Sequence, residues 1–218
     1  VSPIFAQRMI EAFTARSKGV AVQLKTAVEE LLSKVKSIVS LSPQAEDYLV
    51  EIAKEARISK GSVLIRQGDV VNKIYFVTGG CLRSYCVDQS GREHTLQFAV
   101  KDWWMSDYIA LHNNERATLT VECLNDATVI EFNAQKLNEV LTLFPEYEPF
   151  QRYILERHVV SLHKRILNQM QLTASERYQL FLDQYPDIER HTRNYHIASF
   201  LGITQESLSR IRAEKVKR

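Results

Sequence analysis

Hydrophobic and polar positions follow two different periods along the chain, and the changes between them divide it into four regions. Residues 1–37 place apolar side chains at helical spacing among charged ones, which predicts an N-terminal helical extension. Ser42 followed by Pro43 predicts the start of a further helix, because proline at the first helical position loses no hydrogen bond that the helix needs. From residue 58 to residue 132, the sequence pattern changes to short runs of β-branched and aromatic residues.

This strand-rich region predicts a small antiparallel β domain. Turn-forming segments, including Gly79-Gly80, are expected to separate its strands. Regularly spaced short strands of this kind are typical of a sandwich, a jelly roll or a barrel. The predicted strands are residues 62–66, 73–78, 81–87, 95–100, 118–123 and 128–132.

Helical signals return after residue 132. Asn133 is expected to cap a helix that Pro145 ends. Thr173 and Glu176 form a capping-box pattern that starts another. Between them, residues 147–172 predict one long helix, which either pairs with a second copy of itself or packs on its own chain. The pairing is favoured by apolar residues at alternating four- and three-residue steps, namely Leu155, Val159, Leu162 and Ile166.

The segment Asn194–Arg212 has the spacing of a helix-turn-helix. Ala198 is small where the two helices must cross closely, and Gly202 suits a left-handed turn between them. An ordinary helical hairpin is the alternative, but the apolar positions also match the motif. They are Ile197, Leu201, Ile203, Leu208 and Ile211.

Polar residues are left on the open side of the second helix of this motif. Arginine, glutamine and glutamate side chains can pair with base edges, and arginines beside the helices can hold phosphates. Seven basic and two acidic residues from Arg190 onward also favour a polyanionic partner. The predicted DNA contacts are Arg193, Thr204, Gln205, Glu206, Ser207, Ser209, Arg210 and Arg212, with Thr204 also capping the helix.

Composition excludes several other classes of protein. With 45% hydrophobic and 25% charged residues, the chain is ordinary for a globular protein. It has neither a membrane-length apolar run nor a signal-peptide pattern, so we expect it in the cytoplasm. Cys81, Cys86 and Cys123 form no C-x-x-C pair and are expected to be core residues rather than metal ligands. An enzyme of the cupin type would need clustered histidine ligands, whereas only His94 and His112 occur in the strand region, so no catalytic activity is expected.

A strand-rich domain, a long helix and a helix-turn-helix together resemble the Crp/Fnr family of transcription regulators, from about Val35 onward. Gly61–Arg83 looks like the family's opening strands. Residues 205–210 are similar to its R-E-T-V-x-R pattern, with Gln205 replacing the first arginine. The resemblance implies an α+β fold with a double-stranded β-helix, jelly-roll-like sensor domain (38–145), a dimerisation helix (146–172) and a helix-turn-helix domain (173–218). It also implies a homodimer on double-stranded DNA, with RNA polymerase as a further candidate partner.

The resemblance implies an altered effector pocket. Cyclic-nucleotide binders of the family carry a G-E-L segment shortly before an Arg-Ser/Thr-Ala segment. Here Ser106 stands where the glutamate is expected, and Asp107 is the nearest carboxylate. We therefore expect an effector other than cyclic AMP, and no cofactor. The candidate pocket residues are Trp104, Ser106, Asp107, Arg116 and Ala117.

The resemblance raises two further sensing alternatives. An iron–sulfur oxygen sensor of the family would need an N-terminal cysteine cluster, but no cysteine precedes Cys81. Single histidines are more often surface or core groups than ligands, and haem ligation stays open only for His112, His158 and His163. The alternative function is a small-molecule-binding β module whose helical tail contacts another protein.

Overall fold

A computed structural model of the chain describes residues 27–216, apart from the side chains of residues 190, 191 and 216. As predicted, it combines helices with an antiparallel, jelly-roll-like sheet. No helix within this range has the length and apolar character that crossing a membrane requires. In chain order the elements are α1 (27–36), α2 (Pro43–Ile52), β1 (Lys54–Ile58), β2 (Val63–Ile65), β3 (Lys73–Val87), β4 (Glu93–Ala99), β5 (Trp104–Met105), α3 (Tyr108–Asn113), β6 (Thr120–Asn133), α4 (Ala134–Leu143), a 3-10 turn (Pro145–Tyr147), α5 (Glu148–Gln171), α6 (Ala174–Gln184), α7 (Ile188–His191), α8 (Asn194–Leu201) and α9 (Gln205–Val216).

The local signals for helix starts are confirmed. The side chain of Ser42 caps α2, and Asn133 Oδ1 accepts a backbone N–H of α4 at 3.1 Å. Thr173 and Glu176 form the reciprocal capping box of α6. Pro149 lies in the first turn of α5, where its missing N–H is not needed. Each of these helices therefore begins where its sequence satisfies the exposed backbone N–H groups.

The sheet is ordered β1-β6-β3-β4, with β2 paired to β6 and β5 paired to β3. The predicted division into short strands is wrong at two places. Residues 73–78 and 81–87 form the single strand β3, and residues 118–123 and 128–132 are joined within β6. Gly79-Gly80 is not a turn, because the register shifts around it and Gly80 has a φ of +79°. A bulge of this kind bends a strand without ending it.

Apolar cores lie on both sides of this sheet. Leu31 and Val35 of α1 are buried in the same core as Phe132 of β6, so the described part of the N-terminal extension belongs to the β domain's packing. Residues 1–26, the rest of that predicted extension, lie outside the described residues. A second core joins Phe98 of β4 to the helices that follow α5. The C-terminal helices therefore share a core with the sheet.

The backbone of β6 lies so close to Gly80 that a methyl group there should destabilise the fold. A Cβ at Gly80 would lie 2.6 Å from both Ala127 Cα and the Asp126 carbonyl oxygen, whereas at Gly91 it would meet nothing within 4 Å. Both glycines have positive φ, so alanine strains the backbone equally at either. We expect Gly80→Ala to lower the free energy of unfolding by about 1–3 kcal/mol more than Gly91→Ala, from the overpacking alone. Urea denaturation measures both variants, and equal losses would contradict the bulge.

Candidate nucleic-acid interface

The predicted helix-turn-helix is confirmed as α8 and α9 joined by a tight left-handed turn. Gly202 has a φ of +68° and a ψ of 36°. Ala198 is 2% exposed where the helices cross, and its carbonyl accepts the Ile203 N–H at 3.0 Å. Leu201 and Leu208 are buried between the helices. The small, left-handed and apolar positions each serve the steric purpose that their spacing predicted.

The start of α9 is capped and polar. Thr204 Oγ1 accepts the Ser207 N–H at 3.2 Å, as predicted, and the Ser207 hydroxyl lies 3.2 Å from the same oxygen. Hydrogen bonds from its own backbone N–H and from Thr204 lower the pKa of Glu206, which keeps it anionic. Four of the predicted contacts are exposed along this helix, namely Gln205, Glu206, Ser209 and Arg210.

The two predicted phosphate-binding arginines differ in their surroundings. Arg193 is exposed at the N-terminal end of α8. Arg212 donates to the Tyr178 hydroxyl at 2.9 Å, forms an ion pair with Glu189 at 3.1 Å, and also bonds the Asn194 side chain. Arg212 therefore fastens α9 to α6 and α8 in this arrangement, and Arg193 is the better placed of the two for a phosphate.

Comparisons with known proteins agree with this architecture. Residues 55–143 match the family model of the cyclic nucleotide-binding domain. The transcriptional activator protein FnrA of Stutzerimonas stutzeri is 26% identical over 186 residues, covering 79% of this chain and 75% of the relative. These findings agree with the resemblance of the chain to the Crp/Fnr family of transcription regulators.

Two solved structures share the fold. FixK2 from Bradyrhizobium japonicum has a TM-score of 0.64 at 19% identity, covering 75% of this chain and 84% of its own. The c-di-GMP responsive global regulator CLP from Xanthomonas campestris has a TM-score of 0.63 at 12% identity, covering 81% of this chain and 92% of its own. At these identities both likenesses show the fold alone.

The carboxylate of Asp107 accepts hydrogen bonds from its own chain. Its carboxylate is fully buried and caps α3 by accepting the Ala110 N–H at 3.1 Å. Its other oxygen accepts the backbone N–H groups of Thr118 at 2.6 Å and Leu119 at 2.8 Å, together with the Thr118 hydroxyl at 2.9 Å. With four donors already bound, Asp107 has little acceptor capacity left for a ligand hydroxyl.

The structure brings three of the five predicted pocket residues to one cavity beneath α5. Trp104, Ser106 and Asp107 line it, whereas Arg116 and Ala117 lie outside its lining. Ser106 donates to a backbone carbonyl at 2.7 Å, and Trp104 packs in an aromatic group of the apolar core. The cavity has a volume of about 2080 Å³ and extends along α5. Arg116 is exposed and is not among the residues that line the cavity.

The long helix α5 leaves an apolar face open. Phe150 is its one buried residue, while Leu155, Val159 and Ile166 are each about half exposed and Leu162 is partly buried. Three further apolar residues of α5 that the seam spacing did not include are also exposed. They are Val160, Leu167 and Met170.

A buried arginine, which the sequence did not single out, joins the sheet to α8. Arg83 is fully buried and donates to Thr95 at 2.9 Å, to Glu122 at 2.7 Å and to Glu93 at 2.6 Å. Burial alone would raise the pKa of Glu93, but the hydrogen bond and charge of Arg83 lower it below its usual value. A hydrogen bond from Tyr195 of α8 to the same carboxylate acts in the same direction. The start of α8 therefore meets a compensated ionic cluster of the β domain.

His196 of α8 is buried beside this cluster. It is 8% exposed, and its Nδ1 has no hydrogen-bond partner among the described residues. Burial lowers the pKa of His196 to about 4, and the positive charges of Arg83 and Arg193 act in the same direction, against Glu93. The imidazole is therefore neutral in the fold at neutral pH.

His196 predicts a loss of stability in mild acid. Because its pKa is about 4 in the fold against 6.5 for an ordinary histidine, the unfolded chain takes up the proton first as the pH falls. The contribution of His196 to the free energy of unfolding is therefore greatest above pH 6.5 and decreases as the pH falls towards 4. Between pH 7 and pH 5 we expect wild type to lose about 1–2 kcal/mol more than His196→Gln. Urea titrations at both pH values measure this, with His163→Gln, at an exposed position, as control; equal losses in wild type and His196→Gln would refute it.

Proposed function

We propose that this chain is a homodimeric, sequence-specific DNA-binding transcription regulator without catalytic activity, acting in the cytoplasm. The observation that carries the proposal is the capped, polar and exposed face of α9 behind the left-handed turn at Gly202. The names of the curated relatives, which include transcriptional activators, support it. The runner-up is a small-molecule-binding β module whose helical tail contacts a protein.

Recognition would place α9 in the major groove. Arg210 can pair bidentately with guanine, Gln205 with adenine, and Glu206 can accept from the cytosine amino group. Arg193, exposed at the N-terminal end of α8, would hold a phosphate. A twofold dimer would then read two half-sites about 34 Å apart. RNA polymerase is a candidate partner of the DNA-bound dimer.

Regulation would come from a small effector in the cavity beneath α5. Cyclic AMP is a poor candidate, because Asp107 already accepts four hydrogen bonds from its own chain and Arg116 does not line the cavity. An effector can shift the protein between two arrangements only by as much as its affinity for them differs. We therefore propose an effector of another chemical class, and no permanently bound cofactor.

Selection of duplexes from a random pool tests DNA recognition. Wild type is expected to recover an inverted repeat with centres about one helical turn apart. Arg210→Ala should relax one base position in each half-site and weaken binding by about 10–100-fold, the usual value of one bidentate contact. Arg152→Ala, an exposed arginine on α5, is the matched control. Recovery of no repeat by wild type would favour the runner-up, whereas the same repeat with unchanged affinity in Arg210→Ala would mean that Arg210 reads no base.

The apolar face of α5 predicts that a charge in its middle dissociates the dimer. Val159→Glu would place two like charges in a paired apolar seam. We expect sedimentation velocity to show a dimer for wild type and a monomer for Val159→Glu. Lys164→Glu, also at an exposed position of α5, should remain dimeric. A dimer that survives Val159→Glu would mean that the copies pair elsewhere.

A further inference from the structure

The cavity beneath α5 is lined by buried donor groups that have no partner in the protein. Five of its lining side chains have a buried nitrogen or hydroxyl oxygen that makes no hydrogen bond among the described residues. Each of these atoms carries a hydrogen that it can donate. A buried donor left unpaired destabilises a fold unless water or a ligand bonds it. The five atoms are Ser84 Oγ, Gln97 Nε2, Trp104 Nε1, Arg165 Nε and Arg177 Nε.

Arg165 of α5 is a largely buried cation without an anion beside it. Its two Nη atoms donate to the carbonyls of Thr95 at 3.0 Å, of Phe200 at 3.3 Å, and of Leu96, which leaves Nε–H without a partner. Burial lowers the pKa of Arg165, and the neighbouring Tyr185, not a carboxylate, opposes this effect. Because burial raises the pKa of Tyr185, its hydroxyl is neutral and supplies no negative charge. A buried charge is expensive unless it is paired, so an anionic ligand would supply what Arg165 lacks.

Arg177 of α6 lies at the same end of the cavity. Its Nη1 donates to the Leu172 carbonyl at 2.7 Å, while its Nε has no partner. Phe181 follows Arg177 by one helical turn on the same face of α6. The ring centroids of Phe181 and Phe200 are 5.8 Å apart, and Arg165 lies 4.4 Å from the centroid of Phe200. Two arginines without an acidic partner among the described residues therefore flank one aromatic wall.

The acidic side chains of the cavity, in contrast, already have partners. Five carboxylates line it, and each is bound by another group of the described chain. The uncompensated charge of the cavity is therefore positive, and a cleft of that kind attracts anions. The five residues are Asp102, Asp107, Glu139, Glu156 and Asp183.

Further donors come from the β domain. Ser84 of β3 and Gln97 of β4 lie directly opposite each other, so their side chains share one face of the sheet. Ser84 is 1% exposed, and both side chains line the cavity. Arg165 binds the carbonyls of Thr95 and Leu96, the two residues directly before Gln97. The donors of the sheet and of α5 are therefore neighbours along β4.

We propose that this end of the cavity binds an organic anion, whose carboxylate or phosphate group lies between Arg165 and Arg177. Further oxygen atoms of the ligand would accept hydrogen bonds from Gln97 and Ser84. A guanidinium group binds either kind of acid group through charge-assisted hydrogen bonds. The inference rests on the proposed function, because it names the chemical class of the effector proposed for this cavity.

Inorganic phosphate and acetate test the acid-group site apart from the rest of the ligand. Each is titrated into the full chain at constant ionic strength, maintained with potassium chloride. Proton–nitrogen correlation spectra of the arginine Nε–H groups, assigned with Arg165→Lys and Arg177→Lys, report contact at these two side chains directly. Scanning calorimetry follows the Tm of wild type, Arg165→Gln and Arg177→Gln. Arg152→Gln, at an exposed position of α5 outside the cavity lining, is the matched control.

We expect at least one of the two anions to shift the Nε–H resonances of both Arg165 and Arg177. At about ten times its Kd, that anion should raise the Tm of wild type by about 2–4 °C. Each glutamine variant should bind it about tenfold more weakly or worse, the usual value of a hydrogen bond to a charged group, whereas Arg152→Gln should match wild type. The anion that binds more tightly distinguishes a phosphate from a carboxylate ligand. If circular dichroism shows that Arg165→Gln does not fold, Arg177→Gln decides.

Two results would overturn the inference. The first is that neither anion, at millimolar concentration, shifts the Nε–H resonances of Arg165 and Arg177. The second is a rise in Tm that persists in Arg177→Gln but disappears in Arg193→Gln, since the anion would then occupy the proposed DNA surface, and the proposed function would be unaffected. Anion binding at Arg177 in a protein that selects no DNA repeat would instead confirm the site and contradict the proposed function.

Discussion

The packing of Phe98 against the aromatic rings of the C-terminal helices is the interaction on which the arrangement of this molecule depends. Through this packing, the outer face of the edge strand β4 becomes part of the core of the helix-turn-helix domain. Hydrogen bonds of Ser199 and Arg165 then fix the position of α8 along β4, because they involve individual backbone groups of the strand. Apolar burial provides the attraction and the polar contacts provide the register.

Two buried charged groups keep the β domain rigid beneath this contact. Arg83 joins three strands through carboxylates and a hydroxyl, and Asp107 gathers four donors from the segment that follows β5. Burying a charge is expensive unless it is paired, so each group holds its partners in one geometry. The Asp107 carboxylate therefore serves the scaffold of the β domain and has little acceptor capacity left for a ligand hydroxyl.

How far the sequence predicted this structure depended on the range of the interaction. Caps such as Asn133 and Thr204, and the turn at Gly202, rest on neighbours within a few residues and were predicted correctly. Gly79-Gly80 was read as a turn because glycine at positive φ serves both turns and bulges, and the strand opposite decides between them. Arg83 and Ser199 gave no signal, since their partners come from other strands or lie about a hundred residues away. The split of the β region into short strands failed for the same reason.

The edge of β4 has a consequence for the life of the protein in the cell. Without α8, the backbone groups of this edge would be unpaired and the ring of Phe98 would face water, and such an edge is a template onto which other chains can add. Departure of α8 from β4 would expose the strand edge and the Phe98 ring at the same time. A molecule in which α8 has left the sheet would therefore tend to self-associate. The longer α8 stays away from β4, the more of the protein would be lost in this way. Selection on this surface would therefore favour sequences in which α8 leaves the edge of β4 only briefly.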